Sequence, residues 1–292
     1  MIHRRQLLGF AATAPAMTAL LMPQFAWGQE GTDALDAAAR ALEAKSRGRL
    51  GVHILDTADG REWGHRSDER FLMLSTFKTL AAALVLRRTD QGKAPLSKRV
   101  RYRQRDLVQW SPVTEKHVGG RGLSLAQLCE ATITTSDNTA ANLILREVGG
   151  PSALTAFLRG IGDPVTRLDR MEPELNEPSP GEDLDTTTPR AMARTLRTLL
   201  LGDALSPASR EQLAAWLKAN TTGDRRLRAG VPPSWGIGEK TGTAGESAND
   251  AGIVWPPGRA PLLVSAYLAD SPAGAAAREQ ALAGVGRLLA AW

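Results

Sequence analysis

The chain has 292 residues, of which 42% are hydrophobic and 23% are charged, and its formal net charge is +5. This length and composition can form one large domain or two smaller ones with substantial cores, and they exclude a mainly disordered chain. The basic residues are scattered, without a run of five or six and without interleaved aromatic residues. We therefore expect no nucleic-acid partner.

Residues 1–28 have the pattern of an export signal. Arg4 and Arg5 precede Leu-Leu-Gly, and a weakly apolar run follows. Residues 26–28 (Ala-Trp-Gly) then offer small residues at the two positions that a signal peptidase reads. This pattern resembles a twin-arginine signal and predicts delivery to the periplasm. The alternative, a membrane anchor, is disfavoured because the apolar run is short and interrupted by prolines, so we expect no anchor after processing.

The remaining chain predicts strands near both ends and helices between them. Apolar periodicity predicts, in chain order, a helix over 33–45, a strand over 49–56, a short strand near Trp63, helices over 76–89, 124–134, 139–148, 151–161 and 189–201, strands over 235–241, 251–255 and 262–268, and a helix over 275–291. This order favours an α+β fold with one sheet built from both termini.

The predicted organisation is a single domain over 29–292 with two lobes. An antiparallel sheet flanked by helices would comprise about 29–68 and 220–292, and an all-helical lobe about 69–219. The junction of the two lobes is where an active-site cleft is expected.

Metal and thiol chemistry have no support in the sequence. The four histidines form no pair at helical spacing, and no glycine-rich nucleotide loop is present, so we expect neither a metal nor a cofactor. The single cysteine, Cys129, has apolar neighbours at helical spacing and cannot form an internal disulfide. A buried, inert thiol is the favoured interpretation.

Ser75 begins an apolar-periodic segment and is followed by Lys78 one helical turn later. Residues i and i+3 share one face of a helix, so this spacing predicts that Lys78 points back at the Ser75 hydroxyl. The helix N-terminus would add donors and positive potential where an oxyanion forms. The alternative role of Ser75 is a helix N-cap.

Two further short segments carry side chains suited to acyl transfer. Residues 136–138 (Ser-Asp-Asn) offer a hydroxyl and an amide, and their alternative role is a cap for the helix that follows. Residues 240–242 (Lys-Thr-Gly) offer a cation at a strand end, and their alternative role is a turn. Glycine at 242 would let a ligand backbone lie close to the strand edge.

These segments, in this order, resemble the class A serine β-lactamases of the penicillin-recognising superfamily. The resemblance covers essentially all of the chain after the signal. It also includes the segments 111–114 (Ser-Pro-Val-Thr), 135–142, 170–176 and 185–189. The resemblance implies the two-lobe serine β-lactamase fold, hydrolysis of penicillins and cephalosporins, resistance to these antibiotics, and a monomer.

The resemblance also implies a catalytic set. Ser75 would attack the lactam carbonyl, and either Lys78 or Glu172 acting through water would take its proton. Ser136 would relay a proton to the departing nitrogen. Glu172 and Asn176 would hold the water that hydrolyses the acyl-enzyme.

A second set would bind the substrate. Its carboxylate would lie near Lys240, Thr241 and Ser136, with Arg226 assisting. The lactam oxygen would accept hydrogen bonds from the backbone N–H groups of Ser75 and Thr243.

The side groups of the substrate would meet Asn138 and Trp110. Asn138 would hold the acylamino group, and Trp110 would form an aromatic wall at the entrance. Gly242 would leave room beside the strand.

The segment from Arg170 to Asp185 is rich in proline, glycine and acids, which predicts an irregular loop. In the family this is an omega-shaped loop closed by an ion pair, here Arg170 with Asp185. Such a clamp would be required, because a free loop of this length would not hold Glu172 within hydrogen-bond reach of its water.

Two alternative functions share the first three segments. A D,D-peptidase or penicillin-binding protein, and a non-hydrolytic β-lactam sensor, would both acylate a serine without the deacylating arrangement of Glu172 and Asn176. That arrangement favours the hydrolase.

The substrate range is open because the signals conflict. Members that hydrolyse carbapenems commonly have a disulfide at the positions of Leu74 and Ala244, which this chain lacks, whereas Thr243 and Arg226 resemble those members. The segment 243–250 also departs in length from the commoner pattern.

Overall fold

The structure is a computed structural model that describes residues 26–292. The predicted export signal lies outside the described residues except for its last three positions, which begin the first helix. The helices are α1 (Ala26–Ser46), α2 (Phe77–Asp90), α3 (Leu125–Thr134), α4 (Asn138–Val148), α5 (Gly150–Gly160), α6 (Pro189–Leu200), α7 (Pro207–Lys218), α8 (Leu227–Gly230) and α9 (Ala275–Ala291). No helix in this part of the chain is long and apolar enough to span a membrane.

The strands confirm that both ends of the chain contribute to one sheet. They are β1 (Arg49–Asp56), β2 (Glu62–His65), β3 (Phe71–Leu72), β4 (Arg99–Val100), β5 (Leu123–Ser124), β6 (Thr186–Thr187), β7 (Gly236–Ala244), β8 (Ser247–Trp255) and β9 (Leu262–Ala269). Five of them form an antiparallel sheet in the order β2-β1-β9-β8-β7. Strand β7 is therefore an edge, and its outer side is free to meet another part of the chain.

The sheet separates two hydrophobic cores. On one face, buried side chains of the strands pack with α1 and α9, as Ile54 and Val264 do with Val285. On the other face, Tyr267 and Leu263 belong to the core of the helical lobe. Because both faces are covered, β1, β8 and β9 are buried along almost their whole length, and β9 has an almost continuous apolar run instead of strict alternation.

The structure corrects the prediction that the middle lobe is all-helical. It also contains two short antiparallel pairs, β3 with β6 and β4 with β5. Each strand has only two residues, which is too short for a period-2 pattern to be recognised. Helix α7 was not predicted individually, although Ser206 caps it and Pro207 occupies its first turn.

Cys129 lies in α3 and is buried, as expected. Burial raises the pKa of its thiol, which keeps it protonated and unreactive.

Candidate active site

A cleft of 680 Å³ lies where the edge strand β7 meets the helical lobe. Its walls bring together nine of the residues predicted from the sequence: Ser75, Trp110, Ser136, Asn138, Glu172, Asn176, Arg226, Thr241 and Thr243. Lys78 and Lys240 lie directly behind this wall, fully buried, with their ammonium groups directed at Ser136. The predicted residues are therefore neighbours in space although they come from six different segments.

Ser75 lies in a single 3-10 turn, Leu74–Thr76, that leads into α2. Its side chain does not cap the helix, and none of the hydrogen bonds within residues 26–292 uses its hydroxyl. The residue before it, Leu74, has a φ of 48°, which is costly for a leucine. A hydroxyl that forms no hydrogen bond within the fold and lies next to a strained residue is typical of a nucleophile.

Lys78 forms no hydrogen bond with the Ser75 hydroxyl, which the i, i+3 spacing predicts that it faces. The Lys78 ammonium instead donates to the Ser136 carbonyl at 2.9 Å and to Asn138 Oδ1, and it forms an ion pair with Glu172 Oε1 at 3.1 Å. A fully buried ammonium needs a carboxylate and several acceptors, and Glu172, Ser136 and Asn138 supply them. Burial lowers the pKa of Lys78, and the Glu172 carboxylate partly opposes this change.

Ser136 is the meeting point of the two lysines. Its Oγ accepts from Lys78 at 3.2 Å and from Lys240 at 3.1 Å, so its own proton is free to point into the cleft. Ser136 has a φ of 60°, a second strained position at the site. The pKa of Lys240 is lowered well below its usual value by burial, with Lys78 and Arg226 adding repulsion.

The segment 136–138 combines a cap with the site, as both interpretations predicted. Asp137 caps α4 by accepting from Ala140 N at 2.8 Å, and its other oxygen accepts from the backbone of Val113 and Thr114. Asn138, the first residue of α4, donates to Gln109 O at 2.9 Å. The buried cap thus holds the two flanking residues against the cleft.

Glu172 is buried beside Lys78 at the base of the cleft. Asn176 Nδ2 donates to its Oε2 at 2.6 Å, so the two side chains that are predicted to hold a water are in direct contact. Asn142 was not predicted to contribute: its side-chain amide bonds both the N–H and the C=O of Glu172, at 2.9 and 2.8 Å. A polar residue on the apolar face of α4 was the signal, because a buried amide requires partners.

The loop that carries Glu172 is closed at its base. Arg170 Nε lies 2.5 Å from Asp185 Oδ2, and the same guanidinium donates to Glu177 O at 2.6 Å. The other Asp185 oxygen accepts from the backbone N–H groups of Asp169 and Arg170. The Asp185 carbonyl also accepts from Met73 N at 2.9 Å, which connects the loop to the turn before Ser75.

Arg226 is almost completely buried and is tied to the ends of β7 and β8. It donates to the carbonyls of Gly242 and Asn249, each at 2.8 Å, and to Thr243 Oγ1 at 2.6 Å. Because Thr243 Oγ1 accepts from the guanidinium, its own proton is available to a ligand. Burial lowers the pKa of Arg226, and Asp250 opposes this change.

The structure gives Gly242 a different neighbour from the one predicted. A Cβ at this position would lie 2.9 Å from Leu74 Cβ and 3.2 Å from Ser75 N. The glycine therefore admits the turn that carries Ser75, and its role in admitting a ligand stays a prediction. Beyond it, Ala244 pairs with Ser247, so β7 and β8 are joined by a two-residue turn at Gly245 and Glu246.

Trp110 lies at the entrance of the cleft and is 62% exposed. Its indole N–H donates to Thr135 O at 3.0 Å, and its φ of 64° adds a third strained backbone near the site. Thr222, which was not predicted, also lines the cleft and shares a hydrogen bond with the Thr241 hydroxyl. Within the described chain, no three His, Cys, Asp or Glu side chains are grouped to hold a metal ion.

Comparisons with known proteins identify the family of the chain. A model of the β-lactamase enzyme family matches residues 34–292. The L2 β-lactamase of Stenotrophomonas maltophilia is 48% identical over 99% of this chain and 98% of its own length. The β-lactamase of Streptomyces albus G is 46% identical over 98% and 96%, respectively.

Solved structures give the same assignment. An ancestral class A β-lactamase has a TM-score of 0.86 and 63% identity, with 88% of this chain and 98% of that chain covered. A β-lactamase from Xanthomonas campestris has a TM-score of 0.87 and 53% identity, with coverage of 89% and 97%. The chain therefore belongs to the class A β-lactamases, which are serine hydrolases that open the β-lactam ring.

Proposed function

We propose that Ser75 attacks the carbonyl carbon of the lactam ring in penicillins and cephalosporins, and that Glu172 directs the water that hydrolyses the resulting acyl-enzyme. The main support is one observation: a buried carboxylate, ion-paired to Lys78, is held at the cleft by Asn176 and Asn142. A base supported in this way has little freedom to leave its position, which general-base catalysis requires.

Acylation needs a group that takes the Ser75 proton, and two candidates remain open. Lys78 becomes a stronger candidate as burial lowers its pKa, since a neutral amine can accept a proton. Glu172 would act through a water. The developing oxyanion would accept from the backbone N–H groups of Ser75 and Thr243, beside the edge of β7.

Ser136 would return a proton to the departing ring nitrogen. Its oxygen already accepts from Lys78 and Lys240, so only its hydrogen is free to face the cleft. As Ser136 gives up its proton, its oxygen would receive another from one of the two ammonium groups that donate to it, Lys78 or Lys240, so the hydroxyl is restored. This role explains why a hydroxyl is placed between two buried ammonium groups.

The substrate carboxylate would bind to the hydroxyls of Thr241 and Thr243, next to Lys240. Arg226 would act mainly by orienting Thr243, because its guanidinium is already bonded to two carbonyls and to that hydroxyl. Asn138 would hold the acylamino group, and Trp110 would cover the entrance.

Intact-protein mass spectrometry after addition of benzylpenicillin tests the proposal. We expect an adduct on Ser75 that forms and disappears, with the free mass restored once the penicillin is consumed. An adduct that persists would instead identify a D,D-peptidase, a penicillin-binding protein or a non-hydrolytic sensor. The Ser75→Ala variant is the matched control and should carry no adduct.

We further propose that the protein is exported to the periplasm by the twin-arginine pathway and acts there as a monomer, conferring resistance to β-lactams. The support is the Arg4-Arg5 pattern of the leading segment. Replacement of both arginines by lysine should retain the protein in the cytoplasm, as fractionation would measure. Light scattering of the purified protein should give the mass of one chain.

A further inference from the structure

The backbone that precedes Ser75 is strained and must be held from outside. Leu74 is a buried leucine in the left-handed region, and such a conformation persists only when its surroundings enforce it. One hold comes from the loop that carries Glu172, through the bond from Met73 N to Asp185 O. That bond fixes the side of the turn that faces the loop, and the side that faces the sheet needs a separate contact.

Asn249 on β8 fixes the turn on the side that faces the sheet. Its side chain is buried, and its Nδ2 donates to Leu72 O at 2.9 Å and to Met73 O at 3.2 Å. These two carbonyls immediately precede Leu74. The amide therefore bonds the chain at the point where the left-handed conformation begins.

The strand partner of Asn249 is Gly242 on β7. A Cβ at Gly242 would lie 2.9 Å from Leu74 Cβ and 3.2 Å from Ser75 N, so the strand edge can lie this close to the turn only because residue 242 has no side chain. Residues directly opposite each other in an antiparallel pair project to the same face. Gly242 thus leaves space for the Ser75 turn against the sheet, and Asn249 forms hydrogen bonds with the backbone of that turn.

We infer that Asn249 is a positioning residue for the reaction: its side-chain amide keeps the backbone N–H of Ser75 aligned with the edge of β7, where the carbonyl oxygen of the substrate gains charge. The inference rests on the proposed function, in which the N–H groups of Ser75 and Thr243 bind that oxygen. The backbone carbonyl of Asn249 also accepts from Arg226 at 2.8 Å, so the same residue supports the Thr243 side of the site.

The test uses the deacylation-deficient variant Glu172→Gln, in which the acyl-enzyme should accumulate. The infrared stretching frequency of its ester carbonyl reports the hydrogen bonds to the carbonyl oxygen. Asn249→Leu keeps a similar volume but removes both donors. We expect the band to move to higher wavenumber or to split, and the acylation rate constant to fall about 10- to 100-fold.

The matched control is Ser265→Ala on β9 of the same sheet. Ser265 is buried and donates to Pro189 O at 2.6 Å, so its loss also removes a buried bond to a backbone carbonyl, on a different part of the sheet. This variant should lower the melting temperature while leaving both the band and the acylation rate unchanged. Asn249→Ala is a second, smaller change and should move the band in the same direction as Asn249→Leu.

Parental band position and acylation rate in both Asn249 variants, with a melting temperature lowered as in the control, would overturn the inference and leave Asn249 a purely structural residue. A different failure would be the absence of any adduct in Glu172→Gln itself. That result would remove the proposed roles of Ser75 and Glu172, and with them the basis of the inference.

Discussion

Two clusters of charged side chains lie in the interior of the molecule or partly buried at its edge, and their charges are compensated in different ways. The cleft cluster consists of Lys78, Lys240, Glu172 and Ser136. Two fully buried ammonium groups there share one serine hydroxyl, and only Lys78 has a carboxylate in direct contact. The pKa of each lysine is lowered, chiefly by burial.

The edge cluster lies at the opposite end of the sheet and consists of His53, Ser67, Glu62, Arg190 and Arg194. Glu62 accepts from both arginines, at 2.9 and 2.8 Å, and Arg190 also bonds the exposed Asp68. His53 is buried, with Ser67 at 3.2 Å and Glu62 at 3.3 Å. Here each arginine meets a carboxylate, and the outer members reach solvent.

This difference indicates that the cleft cluster serves catalysis and the edge cluster serves stability. In the cleft cluster, burial without full compensation weakens the hold of the lysines on their protons, which suits proton transfer. In the edge cluster, the arginines are neutralised by carboxylates and contribute to packing between β1, β2 and α6. Matched substitutions in the two clusters should therefore have opposite consequences.

The largest contrast should come from two serines. Ser75→Ala should lower turnover of a chromogenic cephalosporin by about 10⁴-fold or more, because the nucleophile is lost. Its melting temperature should stay close to that of the parent, since the Ser75 hydroxyl has no structural bond. Ser67→Ala should do the reverse, losing about 1 kcal/mol of stability with turnover retained. Near-parental turnover by Ser75→Ala would refute the assignment.

The two glutamates should differ next. Glu172→Gln preserves size but is not a base, so deacylation should slow by about 10²- to 10⁴-fold while acylation survives at least in part. Glu62→Gln should leave the kinetics unchanged and lower the stability. Mass spectrometry at intervals after mixing with benzylpenicillin measures both steps. Should Glu172→Gln clear its adduct as fast as the parent, Glu172 is not the deacylating base. Complete failure to acylate would show that the first step also needs it.

A smaller effect is expected from the clamp of the loop. Arg170→Ser removes the contacts with Asp185 and with Glu177 O, so deacylation should slow and limited proteolysis should cut between residues 170 and 185. Arg167→Ser is the control, because its more exposed pair with Asp169 is worth about 0–1 kcal/mol. Unchanged protection and kinetics in Arg170→Ser would argue against the clamp.

The smallest effect on activity is expected from His53 in the edge cluster, which should change how stability depends on pH. Burial lowers the pKa of His53 from 6.5 to about 4, with Arg190 and Arg194 assisting and Glu62 and Asp68 opposing. His53 is therefore protonated below about pH 6.5 in the unfolded chain, but only below about pH 4 in the folded protein. Stability should fall over that interval as the pH decreases, by up to about 3 kcal/mol. Denaturant unfolding of His53→Gln should lack this component, and an identical pH slope in both proteins would contradict it.

Much of the fold could be predicted because its signals are local. The long helices and strands have clear periodicity, and α3, α4 and α6 begin directly after Ser124, Asp137 and Thr188, whose side chains cap them. The two-residue pairs β3–β6 and β4–β5 have no such signal. They exist because the chain segments that they join are brought together by the packing of the lobe.

The sequence by itself determined the family, the order of its segments and the residues that meet in the cleft, because those residues occur in short motifs of recognisable chemistry. Only the tertiary structure decided how they are oriented. Lys78 is paired with Glu172 because a buried ammonium requires a carboxylate. Asn142 reaches Glu172 across 30 positions and Asn249 reaches Leu72 across 177, and contacts over such separations follow from packing, which no local pattern encodes.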